Sequence, residues 1–375
     1  MATDDLTITQ QPQPSGTRRQ HLSGPVGKTH KRVARIFVVT PSRTPCNRRL
    51  RGLTFPRAMI RTARRCLLTF MLVGATVGVA GEAPLVIDGI LSAPDGVQLF
   101  HRSWNPFNDP KGAVLILHGL LDHSGRYETL ANKLVDEGFA VHAYDLRGHG
   151  RSGGGRAYAD SFDDYLDDMD VAVRSIRQRI SDGPLFVIGQ GLGGTIATLY
   201  TIERKPTLDG LVLSGAMLTP NPNHPEARLR TIEVLGQALP WMPFLELDPR
   251  DASRDPSVVS SLRSDPWVQR QSVPARTVSE MLWAVERIQA RMSTLELPLL
   301  IMHGGADRMT NPEGSRMLHQ RARSQDKTLK LIPEARHQLF HEEKRESLRS
   351  TVVDWLVERR PSGVPVDLFR TPVSR

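Results

Sequence analysis

Three short segments of the 375-residue chain carry the residue types that move protons and make charged hydrogen bonds. The first is His118-Gly119-Leu120-Leu121-Asp122-His123-Ser124-Gly125-Arg126-Tyr127. The second is Asp145-Leu146-Arg147-Gly148-His149-Gly150-Arg151-Ser152-Gly153. The third, His303-Gly304-Gly305-Ala306-Asp307, is followed 30 residues beyond its aspartate by His337. A carboxylate that orients an imidazole is the base half of nucleophilic acyl transfer, and it works on a hydroxyl or a thiol. Both cysteines, Cys46 and Cys66, lie ahead of residue 84, so the chain beyond them holds no thiolate nucleophile, no disulfide and no Cys-ligated zinc.

The elements that must position these segments are legible as alternating patterns. Residues 84–104 read as two strands, Leu85–Leu91 and Val97–Trp104, joined by the turn Pro94-Asp95-Gly96. Short apolar runs follow at Ala113–Leu117, Ala140–Tyr144, Leu185–Ile188, Leu211–Leu213, Leu299–Met302 and Thr328–Leu331. Amphipathic segments at Tyr127–Glu137, Phe162–Ile180 and Leu192–Glu203 lie between them with apolar residues at i, i+3, i+4. Fully apolar strands alternating with helices imply a parallel sheet buried on both faces. Between Leu213 and Leu299 lie more than 80 residues of helical and Pro-rich character, too long for an ordinary crossover, so an inserted cap is expected over about 217–296.

The three segments, in this order, resemble α/β-hydrolases of the monoacylglycerol lipase and lysophospholipase group (serine aminopeptidase S33-like) over about residues 86–358. Ser253-Arg254-Asp255-Pro256 and Ser264-Asp265-Pro266-Trp267 resemble the group's cap segments. The resemblance implies an α/β-hydrolase fold, a mostly parallel central sheet with helices on both faces and an inserted helical cap. It implies hydrolysis of a lipid carboxylic ester through an acyl-enzyme, with no cofactor and no metal. Asp307 would orient His337, and the backbone N–H groups of Leu120 and Leu192 would form the oxyanion hole. The nucleophile belongs on a Gly-x-Ser-x-Gly turn. Here that turn reads Gly189-Gln190-Gly191-Leu192-Gly193-Gly194, and the serine position is Gly191. The group's Gly-His-Ser-Met-Gly-Gly is altered at Gln190 and Leu192 as well, which favours natural drift over a single error. The chain is therefore expected to be a catalytically impaired pseudoenzyme that binds a lipid or acyl ester. Two alternatives remain: an active hydrolase, through water at His337 or because position 191 misreports the natural residue, and a non-lipid interaction protein. Thr195 lies one helical turn along, Ser214 ends the next strand, and Ser124 and Ser152 belong to the group's loops; none is expected to substitute.

Other patterns have plainer readings. Gly189-x-Gly191-x-x-Gly194 matches the dinucleotide fingerprint, but the next strand ends in Ser214-Gly215 rather than an acid. His337 and His341, with Glu342 and Glu343 after them, have metal-ligand spacing but no third ligand in view. His118 is expected to pack under the oxyanion loop. Leu235, Leu239, Trp241, Met242, Phe244 and Leu245 form an apolar stretch that covers core or touches a membrane surface. The acidic run Asp163, Asp164, Asp167, Asp168, Asp170 is expected on a solvated helix face.

Net charge +9 and a pI near 9.9 would ordinarily invite nucleic acid as a partner. Residues 1–83, however, carry 14 of the 49 Lys+Arg and 3 of the 40 Asp+Glu, leaving 35 bases against 37 acids beyond them. The basicity belongs to the leader, and no nucleic acid is expected. Residues 1–58 read as a disordered basic extension, and a start at Met59 would make them a misassigned one. Residues 59–83 read as a signal peptide cleaved near Ala80, with residues 66–80 as an anchor if uncleaved, so the protein is expected to be exported, periplasmic or secreted, or membrane-anchored. The hydrolase domain is expected over 84–362, and 363–375 as a loose tail.

Overall fold

A computed structural model describes residues 84–220 and 226–360. The expected basic extension, signal or anchor segment and C-terminal tail lie outside the described residues. The first hairpin pairs β1 (Leu85–Ser92) with β2 (Gln98–Asn105). Its turn closes with the Gly96 N–H on the Ala93 carbonyl, at a Gly96 φ of +89° that suits glycine. β3 (Ala113–Leu117), β4 (Ala140–Tyr144), β5 (Leu185–Gln190) and β6 (Gly210–Ser214) are buried along their whole length.

Beyond β6 come α-helical segments and a two-stranded ribbon of β7 (Pro243–Leu245) and β8 (Val273–Pro274), then β9 (Leu299–Gly304) and β10 (Lys327–Ile332). The main sheet runs β1-β2-β4-β3-β5-β6-β9-β10, with β1 and β2 antiparallel to their neighbours and the rest parallel. Alternation along the strands makes two cores: Leu115, Val187 and Leu213 face one side, while Val114, Phe186 and Val212 face the other with Trp355 and Leu356. β10 departs from the fully buried expectation. It closes the sheet as an edge strand and is only half-buried, with Lys327 and Lys330 in it.

The helices are α1 (Glu128–Asp136), α2 (Phe162–Arg179), α3 (Leu192–Arg204), α4 (Glu226–Ala238), α5 (Pro249–Ala252), α6 (Pro256–Ser264), α7 (Ala275–Arg291), α8 (Pro312–Arg321) and α9 (Arg345–Glu358). Ser161 begins α2 with a capping box, accepting from the Asp163 N–H while the Asp164 carboxylate accepts from the Ser161 N–H. Within α2 the solvated reading of the acidic run fails at one residue. Asp168 is fully buried and takes a bidentate pair from Arg147, 2.7 Å on each oxygen. It lies on the stripe of Tyr165, Met169 and Ala172, where helical spacing directs a side chain inward.

Residues between β6 and β9 build α4–α7 and the small ribbon. Asp248 and Asp255 cap α5 and α6, each ahead of a proline at the first helical position. α7 is shared with the body. Its Met281, Ala284 and Ile288 enter the main core, Glu280 accepts from the Phe162 N–H at 2.9 Å, and Thr277 donates to the Ala157 carbonyl at 2.9 Å. Val234, Leu239 and Trp241 stay exposed on the outer side, Trp241 stacked on Tyr158 with ring centres 3.6 Å apart.

Candidate active site

The turn from β5 into α3 sets the geometry. Gly191 sits there with φ +53° and ψ −116°, a conformation in which any other residue is strained. The flanking glycines have a steric reason: a Cβ on Gly189 would come within 2.6 Å of Gly194 Cα, and one on Gly193 would collide with the carbonyl oxygens of Leu117 and His118. A Cβ on Gly191 would point at His337, 2.8 Å from Nε2 and 3.6 Å from Gly119 Cα. The imidazole therefore occupies part of the space that a side chain at 191 would need.

The loops after β9 and β10 bring the other parts to this point. His337 Nδ1 lies 2.8 Å from Asp307 Oδ2, and His303 Nε2 lies 3.2 Å from the same oxygen. A carboxylate only accepts, so both of those ring nitrogens carry protons. That leaves His337 Nε2 as the lone-pair nitrogen facing Gly191, and His303 Nδ1 as acceptor for the Ser315 hydroxyl at 2.7 Å. Asp307 Oδ1 accepts from the N–H groups of Met309 and Thr310 at 2.8 and 2.9 Å, and the Thr310 hydroxyl donates to Oδ2 at 2.8 Å. Burial opposes ionisation of Asp307, but the charge and hydrogen bonds of His337 and His303 more than offset it and hold the carboxyl well below its ordinary range. Burial likewise opposes charging of His337, yet Asp307 beside it, with a smaller contribution from Asp122, raises its basicity above that of a free imidazole.

Gln190, which sequence reasoning marked only as a departure, is a second anchor. Its amide donates to the His337 carbonyl at 3.0 Å and accepts from the Ser214 hydroxyl at 2.6 Å. The next residue, Gln338, gives its N–H to Ala252 in α5 and accepts from Arg126, which pairs with buried Asp122. Glu342 clamps the same loop: one oxygen accepts from the N–H groups of Arg336 and Arg254, at 2.9 and 3.0 Å. Gln190 was missed because its partners, Ser214 and His337, lie far away in the chain, and Glu342 because it joins nearby Arg336 to distant Arg254. Only the position of Thr310, three residues beyond Asp307, offered a local signal.

The other expectations sort cleanly. His118 donates from Nδ1 to the Gly119 carbonyl and accepts at Nε2 from the Leu146 N–H, bracing the loop that carries Leu120. Thr195 bonds the Gly191 and Met217 carbonyls, Ser124 bonds Asp145 Oδ1, and Ser152 bonds the Asp145 carbonyl. With Ser214 on Gln190, all four neighbouring hydroxyls are committed elsewhere. His341 does not share a site with His337, since its Nε2 donates to the Arg126 carbonyl at 2.9 Å.

Gly191, His337, Leu120 and Leu192 line one cavity of about 100 Å³. It adjoins a second, of about 280 Å³, with Met217, Leu245, Leu247 and Met281 in both walls. The arrangement presents a basic nitrogen and a helix start to an apolar space, and among the described residues no side-chain hydroxyl bonds His337 Nε2.

The family model for serine aminopeptidase S33 matches residues 108–344. The chain is 32% identical over 262 residues to a monoacylglycerol lipase of Mycolicibacterium smegmatis, covering 70% of this chain and 94% of that one. It is 33% identical over 260 residues to human monoglyceride lipase, covering 66% and 86%. Among solved structures, the monoacylglycerol lipase of Paleococcus ferrophilus superposes with a TM-score of 0.64 at 30% identity, over 70% of this chain and 99% of that one.

Proposed function

This chain belongs to the serine aminopeptidase S33 family of α/β-hydrolases, in its monoglyceride lipase group, and on that premise we propose that it binds long-chain acyl esters without turning them over efficiently. One observation carries the reading: Gly191, the position from which a nucleophile would attack, offers no oxygen, while His337 Nδ1 lies 2.8 Å from Asp307 and the turn at 191 keeps its positive φ. In the relatives' chemistry the imidazole takes a proton from a hydroxyl as that oxygen attacks the ester carbonyl. Here Asp307 orients His337 and keeps its Nε2 basic. The Leu120 and Leu192 N–H groups await a carbonyl oxygen, and Leu245, Leu247 and Met281 receive an acyl chain. The acyl-enzyme step is missing for want of a bond-forming atom. Native mass spectrometry after incubation with a monoacylglycerol tests this. Retention of the intact ester, with no reaction of the protein with a fluorophosphonate, is the expected result, and fluorophosphonate labelling of the unmutated protein would contradict it.

Contact with a membrane surface belongs to the same reading. Val234 and Leu239 are 66% and 54% exposed on the outer side of α4 and the residue after it, where an acyl ligand could pass from a bilayer. Leu239→Ser is expected to weaken co-sedimentation with phosphatidylcholine vesicles several-fold, and unchanged co-sedimentation would remove this element of the proposal.

A further inference from the structure

The loss of the nucleophile leaves a site of different chemistry. His337 is nine-tenths buried, its side chain 9% exposed, and its Nε2 points into the volume in front of the bare Gly191 Cα with no partner among the described residues. The 13-residue α3 starts at the same place, and the N–H groups of its first turn have no acceptor within the helix. The Leu120 N–H lies on the facing loop, also without an acceptor among the described residues. An imidazole and a helix start converging on a mostly apolar cavity suit an anion more than a neutral ester, because a charged group gains most from the helix dipole and from a charge-assisted hydrogen bond. The apolar walls, Leu192, Met217, Leu245, Leu247, Val268 and Met281, require that the anion carry a hydrocarbon chain.

We propose that this site is a receptor for a long-chain carboxylate: one carboxylate oxygen accepts from the Leu120 and Leu192 N–H groups, the other from His337 Nε2, and the chain runs along the cavity beneath α5 and α7. The inference rests on the acyl-binding reading above and narrows it from an ester to an acid. A serine at 191 would place its own side chain between the imidazole and such an oxygen, so the absence of that side chain is what admits the carboxylate. Asp307 favours the protonated imidazole that the anion needs, and Asp122, the next acid to influence it, is already paired with Arg126.

Equilibrium binding of dodecanoate, dodecan-1-ol and 1-dodecanoylglycerol to the full chain, each below its micellar concentration, provides the test. Dodecanoate is expected to bind roughly 10-fold or more tightly than either neutral compound, the gain of one charge-assisted contact. His337→Gln is expected to bring the ratio of dodecanoate to dodecan-1-ol affinity to within about twofold of one, a comparison internal to each protein and independent of any general loss of stability. Equal affinity for acid, alcohol and ester would overturn this inference and leave the acyl-binding reading standing. Failure of all three to bind would overturn both.

Discussion

At position 191 the backbone and the missing side chain are two sides of one constraint. The turn demands positive φ, so any residue with a Cβ is strained by about 1–3 kcal/mol, and glycine is strained least. A Cβ must also displace His337 Nε2 from 2.8 Å, against the hold of Asp307 on the other ring nitrogen. Gly191→Ala is therefore expected to lower unfolding stability by about 1–3 kcal/mol in urea titration, the lower unfolded-state entropy of alanine recovering part of the loss. An unchanged or higher midpoint would show that the turn is not strained. At this scale the sequence was readable wherever the constraint is local: Gly189 and Gly193 flank the turn from β5 into α3, and Asp307 and His337 sit on the loops after β9 and β10. Gln190 was not readable as an anchor, because its contacts with Ser214 and the His337 carbonyl form only once separate strands and loops meet; Thr310 and His303 bond Asp307 within one segment, but their spacing alone does not say that those side chains turn toward it.

Elements were legible to within a residue or two where a strand is wholly buried, since an apolar run of five or six residues between helices has few other uses. Ala113–Leu117 and Ala140–Tyr144 occupy their expected bounds. The helix after Ser161 was legible as a helix but not in its polarity, because an acidic run suggests water while spacing places Asp168 among Tyr165, Met169 and Ala172. Burial pushes the Asp168 carboxyl upward and the Arg147 guanidinium pulls against it, so the pair survives burial only as a pair. Arg147 stands on the loop after β4, and the contact fastens that loop to α2. Arg147 also reaches Asp95 at 2.8 Å and Asp164 at 3.2 Å, so Asp168→Asn, which removes its one fully buried carboxylate partner, is expected to cost about 1–3 kcal/mol. Urea unfolding at neutral pH checks it, and a loss below about 1 kcal/mol, the size expected of an exposed pair, would contradict the assignment.

Over the whole molecule, histidines rather than net charge govern the response to acid. Burial holds His149 and His341 down to about 3, and it depresses His118 and the stacked pair His101 and His142 as well. Each is neutral in the fold and binds a proton in the unfolded chain near pH 6.5. Below that pH the unfolded state holds more protons, so stability falls as pH falls, by on the order of 1 kcal/mol per pH unit for each such group until the folded value is reached. His337 acts in the opposite sense. Its raised value adds stability that is complete below pH 6.5 and lost as pH rises through the folded value, one histidine against five. The urea midpoint is expected to drop steeply from pH 6.5 to pH 4, and a flat midpoint over that window would contradict the buried, neutral assignment. The excess of basic residues in 1–83 does not alter this balance, since residues 84–375 are close to charge neutrality.

The central claim is that one missing oxygen separates this chain from a working acyl hydrolase. Steady-state hydrolysis of one monoacylglycerol by the unmutated protein, Gly191→Ser, and Gly191→Ser with His337→Ala tests it most directly. The account predicts turnover at or near background for the unmutated protein, a rise of at least about 100-fold in Gly191→Ser, and loss of that gain when His337 is removed. Robust turnover by the unmutated protein that His337→Ala abolishes would contradict it.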